Sequence, residues 1–471
     1  MALMVTAKAE FIDDRLINDL LSEGQKVDRS IVEGIIEKAG EAKGLTPMET
    51  AALLQTSEPD LIDRIYNAAG SIKDKIYGKR LVFFAPIYIS NFCVNNCLYC
   101  GYRRDNSFTR HRLSEEELRQ EVQVLEEMGH KRLALECGED PVNCPIDYVL
   151  ESIKTIYAVK EKSGSIRRVN VNIAATTREN YRLLKEAGIG TYILFQETYH
   201  RPTYGIMHPT GPKADYDWHT CAMDRAMAAG IDDVGLGVLF GLYDYKYEVL
   251  ALLLHALHLE ETVGVGPHTI SFPRLRPALG MDLGSFPNLV ADDDFKKIVA
   301  IVRLAVPYTG MLISTRESPE FRDELVNVGI SQLSAGSCTG VGGYYKEKMG
   351  VETGDEAPQF ALEDLRSLDE IVGSVCRSGY IPSFCTACYR SGRTGDRFMS
   401  LAKNGEIQNV CQPNAILTFK EYLQDYASPE TKKAGEEAIN EQLKYIGKKA
   451  VAEKTAEELR RIGDGDRDLY F

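Results

Sequence analysis

The feature that most constrains the fold is an eightfold alternation of short apolar segments with longer amphipathic ones. Runs rich in Val, Ile, Leu and Phe predict strands, and the amphipathic stretches between them predict helices. Eight βα units predict a parallel (β/α)8 TIM barrel of the α/β class, although an open doubly wound sheet shows the same alternation. The predicted strands are Leu81–Ser90, Arg132–Gly138, Val169–Ala175, Thr191–Glu197, Asp233–Phe240, Thr269–Leu275, Met311–Thr315 and Ile330–Ala335.

The pattern divides the chain into three parts. The barrel pattern covers residues 76–380, and its first helix starts with a capping-box pair, Ser114 and Glu117. Residues 1–75 predict an N-terminal helical extension. Residues 381–471 lie outside the barrel pattern and predict a C-terminal domain that ends in a charged helical tail.

Composition and charge exclude several classes of protein. The chain of 471 residues carries 55 Lys and Arg against 69 Asp and Glu, and the net charge of −14 does not suit binding to nucleic acid. The longest apolar runs, such as Val249–Leu259, are broken by His and too short to cross a membrane, and Met1–Asp14 lacks the pattern of an export signal. We therefore expect a cytoplasmic protein with no membrane or nucleic-acid partner, whose 11 cysteines are reduced.

Three cysteines directly follow the first predicted strand. Cys93, Cys97 and Cys100 have the spacing C-x3-C-x2-C, and three thiolates on one short loop can hold three irons of a [4Fe–4S] cluster. The fourth iron then remains open to another ligand. A structural zinc site would need a fourth protein ligand and more often begins with C-x2-C. The sequence therefore favours an iron–sulfur cluster with one open position.

A second group of cysteines lies beyond the barrel pattern. Cys385, Cys388 and Cys411 have the spacing C-x2-C-x22-C, which is again one thiolate short of a complete ligand set. Both a second open-site cluster and a zinc ribbon, with Cys376 or a histidine as fourth ligand, remain open. The helix after the eighth strand must return to the amino-terminal face of the barrel, so Cys385 should lie at the opposite end from Cys93.

One histidine is expected near this second group. His268 precedes the sixth predicted strand and should therefore lie at the amino-terminal end of the barrel. Its imidazole could bind an additional metal there, although a histidine at such a position is more often a capping or core residue.

Polar groups also gather where the predicted strands end. The second strand runs into Glu139, the fourth into Glu197 and the seventh into Arg316. The carboxyl ends of barrel strands meet at one face, which is where functional groups lie. We therefore expect the carboxylates, Arg316 and the first cysteine group to share one site.

The first cysteine group, followed by Gly101 and Tyr102 after the first strand of a barrel, resembles the radical S-adenosylmethionine superfamily. The resemblance implies that S-adenosylmethionine binds the open iron of the Cys93, Cys97 and Cys100 cluster and is cleaved to a 5′-deoxyadenosyl radical. The cofactor contacts that it implies are Tyr99 to the adenine, Glu139 to the methionine amine, Glu197 to the ribose hydroxyls, and His219 at a position where related enzymes carry a residue that reaches the cofactor.

The barrel part of the chain resembles the ThiH-like tyrosine lyases. The second cysteine group, which ThiH itself lacks, makes the whole chain similar to the branch that matures [FeFe]-hydrogenase. The resemblance implies cleavage of L-tyrosine between Cα and Cβ to p-cresol and dehydroglycine, and conversion of dehydroglycine to carbon monoxide and cyanide on an iron destined for the hydrogenase. It implies that this labile iron joins an auxiliary [4Fe–4S] cluster at Cys385, Cys388 and Cys411 to give a [5Fe–5S] cluster, with His268 and a cysteine molecule as its ligands. A ferredoxin or flavodoxin and other hydrogenase maturation proteins are the implied partners.

Tyrosine needs its carboxylate fixed so that its amine faces the radical. Arg316 is the candidate because a guanidinium can hold a carboxylate by two parallel hydrogen bonds, and Ser334 or Ser337 could assist or simply shape their loop. Two alternatives remain at this point. One is a ThiH-like 2-iminoacetate synthase for thiazole synthesis, whose second cluster transfers electrons, and the other is a non-catalytic iron–sulfur carrier.

Overall fold

Eight parallel strands close into a barrel in the computed structural model, which describes residues 8–161, 164–351 and 355–471. The strands described there, β1 to β9, are Arg80–Ser90, Arg132–Cys137, Arg168–Asn172, Tyr192–Ile193, Val234–Gly237, Thr269–Ser271, Gly310–Ile313, Gln332–Ser334 and Ile381–Ser383. Strands β2 to β8 pair in sequence order, and β1 closes the ring by pairing with both β8 and β2. The predicted (β/α)8 barrel is confirmed, and the open-sheet alternative is wrong. Residues 1–7 of the predicted extension lie outside the described part of the chain.

Helices cover the barrel and continue beyond its last strand. The α-helices of the described residues, α1 to α20, are Asp14–Gly24, Arg29–Ala39, Pro47–Gln55, Pro59–Tyr77, Glu115–Glu127, Ile146–Ala158, Arg178–Glu186, Arg201–Met207, Tyr216–Thr220, Ala222–Ala228, Tyr245–Val263, Asp292–Ala305, Pro319–Val328, Gly343–Met349, Leu368–Arg377, Ala387–Arg390, Gly395–Lys403, Gln408–Asp425, Pro429–Leu443 and Lys449–Gly463. Helix α5 begins with the predicted capping box of Ser114 and Glu117. None of the helices in the described ranges combines the length and apolar character needed to cross a membrane.

Strands β2 to β8 are shorter than the sequence predicts, most of all at β4. Thr191–Glu197 predicts one continuous strand, but the ladder covers Tyr192–Ile193 and leaves a single bridge between Glu197 and Val238. Glu197 has a φ of 68°, a left-handed conformation that a regular strand does not contain. The predicted extent of this strand is wrong, because the apolar alternation continues into segments that leave the ladder and form the mouth of the barrel.

Strand β1 is long enough to pair with three neighbouring strands. Its carboxyl-terminal part pairs with β2, where Tyr88 faces Glu136, and its amino-terminal part pairs with β9, where Arg80 faces Ile381. The sequence pattern does not predict β9, which is three residues long. Because β9 lies alongside the first residues of β1, the chain that follows it, including Cys385, enters at the amino-terminal end of the barrel.

A buried ion pair ties the loop after β8 to helix α13. The side chains of Arg322 and Asp364 are 1% and 0% exposed and form a hydrogen bond with each other. Arg322 also donates to the backbone carbonyl of Ser334 at the end of β8. Removing one partner of such a pair leaves an uncompensated charge in the interior.

We expect the substitution Asp364→Ala to lower the free energy of unfolding by about 3–5 kcal/mol, because it leaves the Arg322 guanidinium buried without its carboxylate partner. The matched control is Asp19→Ala, which breaks an exposed pair with Arg15 at 3.8 Å and should cost no more than about 1 kcal/mol. Denaturant-induced unfolding followed by circular dichroism measures both. Equal losses in the two variants would contradict the role given to burial.

Candidate active site

A cavity of ≈ 190 Å³ opens at the carboxyl ends of the barrel strands and is called here the first cavity. Its wall carries almost every residue that the sequence places at this end of the barrel. Groups from the loops after β1, β2, β4, β7 and β8 converge on it, which is the arrangement expected of functional residues in a barrel. The predicted residues that line it are Cys93, Cys97, Tyr99, Cys100, Glu139, Glu197, Arg316, Ser334 and Ser337.

The first cysteine loop is held by side-chain hydrogen bonds and close backbone packing. Arg110 donates to the backbone carbonyls of Asn91 at 2.7 Å and Tyr102 at 2.6 Å, one on each side of the loop. Gly138 lets the turn after β2 approach, since a Cβ there would lie 2.3 Å from the carbonyl oxygen of Phe92. The cysteines are therefore presented on a fixed loop that packs directly against this turn.

The thiols of this loop are buried side by side. Burial raises the pKa of Cys93 and Cys97 and brings that of Cys100 to about 11, so a bound cation is what would stabilise the three thiolates. Asn95 Nδ2 lies 3.9 Å from Cys93 Sγ, and Gln359 Nε2 lies 3.9 Å from Cys100 Sγ, which are contacts of the kind that tune cluster potentials. In the described ranges no group of three or more Cys, His, Asp or Glu side chains is arranged to hold a single metal ion. A cluster takes one thiolate per iron, and the three cysteines fit that requirement.

Two carboxylates stand beside this loop, each with a polar partner. Glu139 accepts a hydrogen bond from Asn95 Nδ2 at 2.6 Å, and burial raises its pKa. Glu197 accepts one from Lys213 Nζ at 2.8 Å. The left-handed backbone of Glu197 costs on the order of 1–3 kcal/mol, and such strain clusters at functional sites. The sequence analysis missed Lys213, which lies in a polar loop without a motif.

The two aromatic candidates for cofactor contacts differ in placement. Tyr99 lines the first cavity, and its hydroxyl shares a hydrogen bond of 2.8 Å with His208 Nε2. His219 is 2% exposed and does not line the cavity, and its Nε2 lies 2.8 Å from the carbonyl oxygen of Phe195. The structure therefore does not bring His219 to the site, whereas Lys213, a cationic group from the same stretch of chain, does line the cavity.

Arg316 presents its guanidinium to the first cavity. It lies over the Phe360 ring, 3.3 Å from the centroid, and makes no side-chain hydrogen bond or ion pair with any described residue. Ser337 Oγ is buried and has no partner in the described part of the chain, whereas Ser334 Oγ accepts from the backbone of Thr315 at 3.2 Å. A guanidinium and a hydroxyl that both lack partners can bind a carboxylate.

A second cavity, of ≈ 60 Å³, lies at the amino-terminal end of the barrel. The predicted residues Cys385, Cys388, Cys411 and His268 all line it, so the structure brings the second cysteine group and the histidine together. Cys376 does not line it. The polar residues of its wall that the sequence analysis missed are Arg80, Arg132, Asp233, Ser331, Gln332, Ser383, Thr386 and Tyr389.

The ligand groups of the second cavity suit metal binding. A hydrogen bond from the Cys388 thiol lowers the pKa of Cys411 to about 7 and raises that of Cys388, while Cys385 Sγ accepts a backbone N–H at 3.3 Å. Burial lowers the pKa of His268, whose Nδ1 lies 3.5 Å from Asp233 Oδ1. The imidazole is therefore neutral at pH 7, which is the form that binds a metal. Three thiols and an imidazole fit a second cluster with a further iron beside it.

The two cavities share the interior of the barrel. Phe84, Ala134 and Leu312 form a small apolar cluster in the wall of the first cavity. On the same strands, residues of the second cavity stand two positions earlier, a rise of about 6.6 Å along a strand. Those residues are Val82, Arg132 and Gly310. Along these strands the two walls are therefore adjacent layers of inward-facing residues.

A barrel with a C-x3-C-x2-C loop at its mouth defines a radical S-adenosylmethionine enzyme. The Radical SAM superfamily pattern matches residues 87–256, and the Biotin and Thiamin Synthesis associated domain pattern matches residues 271–381. The 2-iminoacetate synthase of Escherichia coli (strain K12) is 32% identical over 349 residues, which are 74% of this chain and 89% of that protein.

Solved structures similar to this chain identify its branch within this superfamily. A crystal structure of HydG, a maturase of the [FeFe]-hydrogenase, is 62% identical with a TM-score of 0.95 and covers 98% of this chain and 100% of its own. HydG from Carboxydothermus hydrogenoformans is 40% identical with a TM-score of 0.82 and covers 96% and 99%. The chain belongs to the HydG family of radical S-adenosylmethionine enzymes. It therefore uses S-adenosylmethionine and a [4Fe–4S] cluster.

We expect Lys213→Met to weaken S-adenosylmethionine binding about tenfold or more, because losing a charge-assisted hydrogen bond costs about 1.5–3 kcal/mol and leaves Glu197, the carboxylate predicted to bind the ribose, without the partner that fixes its position. Lys213→Arg keeps the charge and should retain most of the affinity. Anaerobic equilibrium dialysis of the cluster-loaded protein measures both. Unchanged affinity in the methionine variant would show that Glu197 does not depend on this lysine.

Proposed function

We propose that this chain is a tyrosine lyase that also builds an iron–carbonyl–cyanide unit for the [FeFe]-hydrogenase. The observation that carries the proposal is the pair of cysteine sites at opposite ends of one barrel, in a chain that matches HydG over 98% of its length. The first cavity would cleave tyrosine. The second would convert the two-carbon product into ligands of an iron.

In the first cavity, Cys93, Cys97 and Cys100 hold the [4Fe–4S] cluster. Tyr99 packs against the adenine, Glu139 accepts from the methionine amine, and Glu197, set by Lys213, accepts from the ribose hydroxyls. When bound, the cluster and S-adenosylmethionine supply the radical that removes a hydrogen atom from the substrate. The burial of the three thiols and the partners of both carboxylates support these roles.

Arg316 binds the carboxylate of L-tyrosine and Ser337 donates a further hydrogen bond to it. With the carboxylate fixed, the amine and the Cα–Cβ bond keep one orientation relative to the cofactor, which is where much of the rate of such a step arises. Loss of hydrogen from the amine leads to Cα–Cβ cleavage and releases p-cresol and dehydroglycine. The side chains of Arg316 and Ser337, which lack partners in the described residues, support this placement.

In the second cavity, Cys385, Cys388 and Cys411 hold the auxiliary cluster, and His268 faces the labile iron, which is cargo rather than a resident cofactor. A cysteine molecule would complete the ligands of that iron. Dehydroglycine reaches this cavity through the interior of the barrel, past the apolar layer at Phe84. The finished iron unit passes to other hydrogenase maturation proteins, and a ferredoxin or flavodoxin supplies electrons.

A second candidate function is 2-iminoacetate synthesis for thiazole assembly, which the 32% identity to the E. coli enzyme favours. That reading leaves His268 and the second cavity with no role beyond electron transfer. A third reading, a non-catalytic iron–sulfur carrier, leaves the Arg316 guanidinium in the first cavity unexplained. The two-site maturase accounts for both.

The test is anaerobic turnover of the iron-reconstituted protein with S-adenosylmethionine, dithionite and tyrosine. p-Cresol is followed by chromatography and carbon monoxide by trapping on deoxyhaemoglobin. We expect Cys388→Ala to keep forming p-cresol but no carbon monoxide, and Cys97→Ala to form neither. Cys376→Ala is the matched control, since this buried cysteine lines neither cavity, and both products should persist. Equal loss of p-cresol in Cys388→Ala and Cys97→Ala would contradict the division of labour.

A further inference from the structure

Glu197, the carboxylate assigned to the ribose, lies at the centre of an unusual turn. Its φ is 68°, and the backbone N–H of Thr198 donates to the carbonyl of Gln196 at 2.9 Å. A hydrogen bond that closes over three residues, with a positive φ at the middle one, defines a rare and strained type of γ-turn. Such a turn persists only where the surrounding structure holds it in place.

The chain at the end of β5 holds one side of this turn. The backbone N–H of Gln196 donates to the carbonyl of Gly237 at 2.9 Å, and that of Leu239 donates to the carbonyl of Glu197 at 3.0 Å. These bonds fix the entry to the turn and its central residue. They do not fix the residues that follow it.

A buried carboxyl group holds the exit from the turn. Glu248, in the first turn of α11, is 1% exposed, and its Oε2 accepts from the backbone N–H of Tyr199 at 2.8 Å. Its Oε1 accepts from the hydroxyl of Thr198, which in turn accepts from the backbone N–H of His200 at 3.2 Å. One side chain therefore fixes the two residues that directly follow Glu197.

Glu248 has no role in the function proposed above, and it does not line the first cavity. Burial raises the pKa of Glu248 to about 8, so the group is mostly protonated at pH 7 and acts through hydrogen bonds rather than through its charge. Any effect on the cofactor therefore has to pass through the turn that it holds.

We propose that Glu248 is a positioning residue for S-adenosylmethionine, because it holds the γ-turn that directs the Glu197 carboxylate toward the ribose hydroxyls. This inference rests on the proposed function, which gives Glu197 its contact with the cofactor. Lys213 Nζ fixes the carboxylate end of Glu197 at 2.8 Å, and Glu248 fixes the backbone that carries it. If the turn relaxed, the carboxylate would have to be ordered again each time the cofactor binds, and affinity would fall.

A simpler role for Glu248 would be to stabilise the fold alone. Glu121 in α5 allows the two roles to be separated, because it is also 1% exposed and also accepts from two successive backbone N–H groups. Those groups belong to Tyr344, at 3.3 Å, and Tyr345, at 2.6 Å, in helix α14 rather than in the turn of Glu197. Burial raises the pKa of Glu121 to about 7, so the two carboxyl groups are similar in environment.

The experiment compares Glu248→Ala, Glu248→Gln and Glu121→Ala with the parent chain, all cluster-loaded, by anaerobic equilibrium dialysis of S-adenosylmethionine. We expect Glu248→Ala to bind the cofactor about tenfold to a hundredfold more weakly, and Glu121→Ala to bind it like the parent. Glu248→Gln should stay within about threefold of the parent, because an amide can accept from the N–H of Tyr199 and donate to the hydroxyl of Thr198.

A double-mutant cycle with Glu197→Ala tests whether Glu248 acts through Glu197. We expect Glu197→Ala to weaken binding by itself, and the further change Glu248→Ala to cost less than about threefold more, because both substitutions remove one and the same contact. Full additivity of the two losses, an equal loss in Glu121→Ala, or unchanged affinity in Glu248→Ala would overturn the positioning role.

Failure of the proposed function is recognised separately. Unchanged affinity in Glu197→Ala would overturn the ribose contact and this inference together. A parent chain that forms no p-cresol from tyrosine would overturn the tyrosine lyase, whereas the cofactor affinities of the variants would still decide the role of Glu248.

Discussion

Closure of the barrel through β1 is the constraint on which both cysteine sites depend. This strand pairs with β8 on one side and with β2 and β9 on the other, so its hydrogen bonds fix both ends of the molecule at once. Its carboxyl end delivers the loop of Cys93 to the mouth of the barrel. Its amino end holds β9, from which the chain runs to Cys385. The distance between the two sites is therefore set by one strand.

Charged side chains in the barrel interior fall into two groups, those with an ionic partner and those without one. Arg322 is paired with Asp364, and Lys213 is paired with Glu197, so these charges stabilise the position of a loop or of another side chain. Arg316 in the first cavity and Arg80 in the second lack such partners among the described residues. Burial without a partner is unfavourable in the free protein, and a bound anion removes the penalty.

The local pattern of the sequence was sufficient for the strand order, and it singled out the two cysteine groups that line the two cavities. Strand order follows from apolar alternation, and a cysteine loop is recognised by its spacing alone. The contributions of Lys213 and Arg132 could not be read in the same way, because a lysine in a polar loop and an arginine at a strand start are ordinary surface patterns. His219 is the opposite case, a residue that the sequence suggested for the site and that does not line the first cavity. A histidine next to a tryptophan in the right stretch of chain suggested a cofactor contact, but its ring bonds to the backbone of Phe195 instead.

The sequence by itself determined that eight βα units alternate, that two groups of three cysteines stand at fixed spacings, and that Glu197 and Arg316 follow strands of one barrel. These are properties of neighbours along the chain, and local propensity and fixed spacing encode them. The tertiary structure alone decided that β9 joins the barrel, that Glu197 adopts a left-handed backbone beside Lys213, and that Arg80 and Arg132 line the second cavity. Those features depend on pairing between residues far apart in sequence, and closing the ring brings them together only once all eight strands are in place.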